Sequence, residues 1–352
     1  MGNIQGFICN LRQRKEIFKR RRRVAVTLDQ HKILRFWQKR NWLTLLLVPV
    51  SLFFYLVIFI RRLFYKIHLL KSDKPPVPVI VVGNIYIGGT GKTPFVIWLC
   101  NWLKSRGYKP GVVSRGYGGD SSKHPLLVTE KTLSQDSGDE PQEIFQATNV
   151  PVMVGRDRLA NAFELYSKYK CNIIISDDGL QHYRLARDYE FTIFDGSRGK
   201  GNGLLFPAGP LREPMSRAVP TKVVINGDNC HDLNGDHFYL RLTNLINLLN
   251  GEVVDIHEFT KDKIHAVAGI GNPQRFFNDL RAFGFDVIPH IFPDHYDYSE
   301  ENLEFNDDIP VIMTGKDSVK CRKFANRKMW IAPVSITVDS EIESDIDDFL
   351  KY

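Results

Sequence analysis

Val79-Ile80-Val81-Val82 runs through Gly83-Asn84-Ile85-Tyr86-Ile87 into Gly88-Gly89-Thr90-Gly91-Lys92-Thr93, and a helix-periodic stretch follows at once. Few folds accept that order. A buried, β-branched strand that ends in a glycine-rich turn and opens a helix belongs to the parallel sheet of an α/β protein. The glycines let backbone N–H groups converge on phosphate oxygens, and the helix N-terminus adds a favourable partial positive charge. In such a loop Lys92 meets the terminal phosphates of a nucleotide such as ATP, and the Thr93 hydroxyl ligates Mg²⁺. One position departs from the usual spacing. Tyr86 stands where the first glycine of the pattern belongs, and the glycines have moved to 88 and 89.

A phosphate loop needs an acid for its metal, and Ile173-Ile174-Ile175-Ser176-Asp177-Asp178-Gly179 supplies a pair at the end of a second apolar strand. Carboxylates at the C-terminal end of such a strand face the ligand crevice. Asp177, Asp178 or both reach Mg²⁺, directly or through water. The same rhythm continues along the chain. Strand-like runs at 77–82, 111–114, 151–154, 173–175 and 191–194 alternate with helical patterns at 93–105 and 156–169. Further runs follow at 222–225, 264–268, 287–291, 311–314 and 319–325, with a helix at 274–283. This predicts a P-loop NTPase-like α/β fold, a mostly parallel doubly wound sheet with a second, smaller α/β subdomain. The weakly patterned stretch 226–258 marks the expected boundary, which divides a kinase-like core at 75–226 from a C-terminal region at 227–352 that completes the cleft.

Upstream, residues 41–60 carry no charge and include Phe53-Phe54-Tyr55-Leu56-Val57-Ile58-Phe59-Ile60. About twenty apolar residues suffice for a helix to cross a bilayer. Lys39-Arg40 and Arg61-Arg62 flank the stretch on both sides, and Pro49 lies inside it, so a re-entrant or surface-lying helix stands beside a simple span. The formal charge of +7 is local to this feature: residues 1–40 hold twelve Lys/Arg against two acids, whereas residues 75–352 are net acidic. The basic arm at 1–40, with Lys19-Arg20-Arg21-Arg22-Arg23, has no DNA-binding frame, so nucleic acid is not the expected partner. Beside an anchor at 41–74, attraction to an anionic membrane surface is the better reading. Five cysteines without paired spacing argue against a disulfide framework or a zinc site and suit a reducing compartment.

Four other clusters are more polar than folding requires. Ser114-Arg115-Gly116-Tyr117-Gly118-Gly119 follows a strand, and Gly138-Asp139-Glu140 stands at a helix start. Pro207-Ala208-Gly209-Pro210-Leu211-Arg212-Glu213-Pro214 is a rigid loop with one cation and one anion. Phe292-Pro293-Asp294-His295-Tyr296 sets a histidine beside a carboxylate. Each taken alone fits a structural role, such as an N-cap at Asp139, as well as a catalytic one.

Read together in order, these blocks resemble the tetraacyldisaccharide 4′-kinases, the lipid A 4′-kinases of Gram-negative bacteria. Gly155-Arg156-Asp157-Arg158, Asp177-Asp178-Gly179-Leu180-Gln181-His182, Gly201-Asn202-Gly203 and Gly269-Ile270-Gly271-Asn272-Pro273 extend the resemblance from about residue 33 to the C-terminus. It implies transfer of the γ-phosphate of ATP to the 4′-hydroxyl of tetraacyldisaccharide 1-phosphate, a membrane lipid, at the cytoplasmic face of the inner membrane, giving lipid IVA. By motif position it implies a phosphate site of Gly88, Gly89, Thr90, Gly91, Lys92, Thr93 and Arg156, and a metal site of Thr93, Asp177, Asp178 and Glu213. Asp139 matches the acceptor-activating base with His295 as its partner, and Arg212 matches a cation at the transferring group. The family usually has Glu where Gly315 stands, and residues 1 to about 32 extend beyond its usual start. A regulatory membrane NTPase is the competing class. Its guanine-binding form needs Asn-Lys-x-Asp after a strand, which Thr314-Gly315-Lys316-Asp317 does not provide.

Overall fold

Apolar runs that do not alternate need cover on both faces, and the computed structural model, which describes residues 36–228, 232–260 and 262–351, gives them that cover. The arginine run at 20–23 therefore lies outside the described residues. The strands are β1 (Val79–Gly83), β2 (Pro110–Ser114), β3 (Leu126–Leu127), β4 (Val152–Val154), β5 (Ile173–Asp177), β6 (Tyr189–Asp195), β7 (Lys222–Asn226) and β8 (Asp236–Leu242). They continue with β9 (Asn244–Asn247), β10 (Val253–Asp255), β11 (Lys263–Ala268), β12 (Asp286–Ile291), β13 (Val311–Thr314), β14 (Met329–Ala332) and β15 (Val334–Val338). Nine of them form a larger sheet in the order β15-β8-β7-β6-β1-β5-β2-β4-β3, and six form a smaller one in the order β10-β9-β14-β13-β11-β12. The interior pairings of the larger sheet are parallel, with antiparallel β15 and β3 at its edges. In the smaller sheet β14, β13, β11 and β12 run parallel, and β9 joins β14 and β10 antiparallel. The expected α/β architecture with a smaller second unit is present.

The chain passes between the sheets inside the weakly patterned stretch 226–258, but not at its start. Within 226–258, Asp236–Leu242 extends the larger sheet and Asn244–Asn247 opens the smaller one. Near the C-terminus Val334–Val338 returns to the larger sheet by pairing with β8. The helix Ser340–Lys351 follows and packs Ile342 and Ile346, one turn apart and fully buried, into the larger sheet's core. A division at 226/227 thus cuts through the larger unit. The 236–242 strand is polar at every second position, so its pattern reads as surface until Phe238 is seen against Phe95, ring centroids 5.4 Å apart. The run at 319–325 is helical, ending the helix Gly315–Cys321 and its short 3₁₀ extension Arg322–Phe324.

The uncharged stretch forms the helix Trp42–Lys66, capped by Asn41 and continuous through Pro49 and the two arginines. Its 25 residues are long and apolar enough to cross a membrane, roughly 37 Å at 1.5 Å per residue. Most of its large side chains are exposed, and a narrow face docks on the loop at 205–208. There Ser51 donates to the Leu205 carbonyl at 2.8 Å and accepts from the Ala208 N–H at 3.0 Å, while Phe54 meets Phe206 edge-on.

Toward the other end of this helix, where Tyr65 meets Tyr183, lies a largely buried ionic cluster. Glu190 on β6 accepts two hydrogen bonds from Arg217, at 2.6 and 2.8 Å, and one from Arg187 at 2.8 Å. Burial pushes the Glu190 carboxyl upward, but the Arg217 hydrogen bonds and the two guanidinium charges outweigh it and hold the group below its usual range. Glu190→Gln is expected to cost roughly 3 kcal/mol near neutral pH, because two buried guanidiniums lose their counter-charge. Since the folded-state value is depressed, this contribution is full above the unfolded carboxylate value of about 4.3 and fades as pH falls through the folded one. Denaturant titrations at neutral and acid pH check this. Equal stabilities of the two proteins near neutrality would refute it.

Candidate active site

The C-terminal ends of parallel strands from both sheets open onto one cavity of about 900 Å³. Its wall runs from the glycine loop and the ends of β2, β5 and β7 across to the loops after β11, β12 and β13. Crevices at the carboxyl ends of doubly wound sheets are where such folds bind ligands.

Gly91 caps the helix Lys92–Ser105 at φ 90°, and Gly88 turns at φ 111°. These conformations, costly for any residue with a Cβ, let the loop form without glycine at 86. Tyr86 is instead buried in a core cluster with Ile85, Leu180, Phe194 and Leu211, so the loop is entered over a packed ring. Asn84 ties the loop from within, donating to Gly88 O at 3.3 Å and to the Thr90 hydroxyl at 3.1 Å. Asn226 donates to Thr90 O at 3.3 Å from the end of β7, two strands from β1 in the sheet. All six residues of the 88–93 stretch line the cavity.

β5 lies next to β1, with Asp177 opposite Val82. Asp177 accepts from the Ser114 hydroxyl at 3.0 Å through Oδ2, while its buried Oδ1 has no hydrogen-bond partner. Burial, then the charges of Glu140 and Asp178, push the Asp177 carboxyl up to about 7. Asp178 goes the other way. Burial opposes its ionisation, but Lys92 at 3.3 Å and Arg212 at 3.2 Å hold it down at about 2. A buried carboxylate oxygen without a partner, beside an ionised aspartate and the Thr93 hydroxyl on the same cavity, is a donor set that fits Mg²⁺. Among the described residues no group of three or more His, Cys, Asp or Glu side chains could hold a metal by itself. That suits an ion whose remaining ligands are waters and nucleotide phosphates. Glu213 also lines the cavity, but both of its oxygens already accept, from Tyr183 and from Gln181 at 3.1 Å.

Arg156 is not brought to the site. It is exposed and does not line the cavity, whereas Arg158 is buried and does. The reason is local. Asp157 caps the helix Arg158–Ser167 by accepting from Ala160 N–H at 3.1 Å, so the chain turns inward only after residue 157. Arg158 donates to Asp178 O at 2.9 Å. Arg158→Ala is expected to lower turnover about 10²-fold, the scale of losing one aligned donor. Arg156→Ala should stay within about twofold. Steady-state rates of the two variants decide, and equal losses would remove the distinction.

On the opposite wall Gly138, at φ 87°, opens the helix Asp139–Thr148. Asp139 Oδ2 is 2.8 Å from His295 Nδ1 and 3.1 Å from Lys320 Nζ. Burial favours a neutral Asp139, but the His295 hydrogen bond and the Lys320 charge outweigh it and keep the carboxyl below its usual range. The order of the pair differs from the expectation: His295 lines the cavity and Asp139 lies behind it. Lys316, Glu140 and Glu143 share this wall, and Lys316 donates to Asp294 at 3.0 Å. At Gly315, where the expected glutamate is missing, an added Cβ would stand 2.9 Å from Glu143 Oε1. A carboxylate from another helix thus fills the space, and burial pushes it up to about 7. Sequence reading missed Ser114, Arg158, Asn226 and Lys320 as site residues. Ser114 and Arg158 appeared there only inside the wider blocks 114–119 and 155–158, and no local pattern pointed to Asn226 or Lys320.

The geometry agrees with three comparisons. The family model described as "Tetraacyldisaccharide-1-P 4'-kinase" matches residues 43–351. The chain is 47% identical over 317 residues to a protein of Methylobacillus flagellatus named tetraacyldisaccharide 4′-kinase, covering 88% of this chain and 94% of that one. A relative of the same name from Colwellia psychrerythraea is 48% identical over 308 residues, covering 84% and 90%. The crystal structure of LpxK from Aquifex aeolicus in complex with ATP superposes with a TM-score of 0.76 at 28% identity, covering 88% of this chain and 98% of that one.

Proposed function

The chain belongs to the tetraacyldisaccharide 4′-kinase family, and from that premise we propose that it transfers the γ-phosphate of ATP to the 4′-hydroxyl of tetraacyldisaccharide 1-phosphate, yielding lipid IVA. One observation carries the reading beyond family membership: a single cavity is walled by both the phosphate loop and the apolar helix. Phe54, Val57, Ile58 and Arg61 line it with the i, i+3, i+4, i+7 spacing of one helical face. A cavity shared by a phosphate loop and an apolar helix is suited to an acceptor held in a bilayer by four acyl chains.

In this mechanism the loop N–H groups and Lys92 hold the β- and γ-phosphates, and Arg158 and Arg212 neutralise charge on the transferring group. Thr93, Asp177 and Asp178 would hold Mg²⁺, with Glu213 fixing Gln181 and Tyr183 at the rim. Bound there, the ion neutralises charge across the phosphates. The Asp139–His295 pair receives the proton of the acceptor hydroxyl, His295 being the member that reaches the cavity. As that oxygen bonds to the γ-phosphorus, the bond to the β–γ bridging oxygen breaks and ADP leaves. The helix Trp42–Lys66 seats the enzyme on the cytoplasmic face of the inner membrane. Arg61, Arg62, Lys66, Lys71 and Lys74 attract anionic lipid there at about 1 kcal/mol each.

The test is incubation of ATP labelled at the γ-position with the disaccharide lipid in detergent micelles. Label at the 4′-position supports the reading. Label released only as inorganic phosphate, or tight selectivity for GTP, would replace it with a regulatory NTPase.

A further inference from the structure

Asp139 carries more than a histidine. Its Oδ2, which meets His295 Nδ1 at 2.8 Å, also meets Lys320 Nζ at 3.1 Å, so two cationic or N–H groups converge on one oxygen. Lys320 comes from the helix Gly315–Cys321 of the smaller sheet, whereas Asp139 begins a helix of the larger one. Its side chain is only 5% exposed, an unusual depth for lysine, and it is held by Asp317 at 4.0 Å and by the Tyr298 ring at 5.5 Å. A buried ammonium costs several kcal/mol unless paired, and its closest ion-pair partner is Asp139.

We propose that Lys320 is a positioning residue for phosphate transfer: it pins Asp139 Oδ2 so that His295 donates from Nδ1 and leaves Nε2 free to take the acceptor's proton. The inference rests on the Asp139–His295 pair being the proton acceptor. Among the described residues Nε2 makes no hydrogen bond, and Asp294 Oδ2 lies 3.9 Å from it. The other charged groups around the pair are balanced. Lys316 faces Asp294 at 3.0 Å and Glu140 at 3.8 Å. Glu143 stands beside Gly315, Asp317 is engaged by Tyr298 at 3.0 Å, and the Tyr117 ring covers His295 at 5.6 Å. Lys320 is therefore the cation that competes directly with His295 for the carboxylate. Without it, Asp139 holds a protonated His295 more strongly, and the protonated form, which cannot act as a base, persists to higher pH.

The experiment uses the full-length enzyme in micelles. Wild type, Lys320→Met, Lys320→Gln and Lys320→Arg are assayed for kcat and KM across pH, and the His295 ring is observed by nitrogen NMR. Lys320→Met and Lys320→Gln are expected to lower kcat about tenfold or more near neutrality with the KM for ATP little changed. The acidic limb of kcat should move upward by about half a unit or more, with Lys320→Arg restoring it. The NMR spectrum should show the proton fixed on Nδ1 in wild type and, at the same pH, a second proton retained on Nε2 in Lys320→Met. A general loss of rate with an unmoved limb and unchanged protonation of the ring would overturn the proposal and leave Lys320 as packing. Should one neutral variant fail to fold, the other carries the test. Absence of lipid phosphorylation by wild type would instead overturn the proposed function, so the two failures are distinguishable.

Discussion

Lys92→Ala is expected to lower phosphate transfer by at least about 10³-fold, with the protein still folded. Lys92 is the first residue of the helix that follows the glycine loop and lies on the cavity wall, so in the proposed mechanism its ammonium meets the terminal phosphates held by the loop N–H groups. Charge aligned with the transferring group is worth several kcal/mol in a site shielded from water. The same ammonium is 3.3 Å from Asp178, and it is first among the charges that hold this carboxylate at about 2 despite its burial. Removing it leaves Asp178 with the Arg212 and Arg158 guanidiniums, so the fold is not left with an unpaired buried charge. Single-turnover rates and a thermal melt check both parts. Turnover within tenfold of wild type would take Lys92 out of the mechanism.

Asp139→Ala is expected to cost about 10²–10⁴ in kcat, the range for loss of a general base, with much less effect on ATP affinity. His295→Ala should match it, and the double variant should be little worse than either, because groups that act as one unit are strongly non-additive. The asymmetry between turnover and ATP affinity follows from position. In the proposed mechanism the acceptor hydroxyl arrives at this pair, and among the described residues neither member bonds to the glycine loop. Near-normal turnover in Asp139→Ala, or independent additive losses, would show that the proton leaves by another route.

What could be read along the chain was what neighbours in sequence decide. The 79–93 segment announces strand, loop and helix because burial on both sheet faces, backbone freedom at glycine and helix initiation are all local properties. Ile173–Asp177 and Trp42–Lys66 were legible for the same reason. Where the local pattern was ambiguous the reading slipped. The strand Asp236–Leu242, half polar, was taken into a boundary, and Arg156 was chosen over Arg158 although the two differ by which side of the Asp157 cap they occupy.

The sequence by itself settled the α/β class, the strand, glycine loop and helix at 79–93, and the apolar helix, since each rests on consecutive residues. The fold alone decided what gathers around Asp139 and across the cavity. Asp139 meets His295 across 156 positions and Lys320 across 181, and Phe54 and Arg61 join the wall of a cavity whose glycine loop begins at residue 88. No periodicity records such meetings. Hydrophobic pattern reports a residue's own burial, whereas which side chain shares an oxygen with which depends here on how the helix Asp139–Thr148 meets the helix Gly315–Cys321.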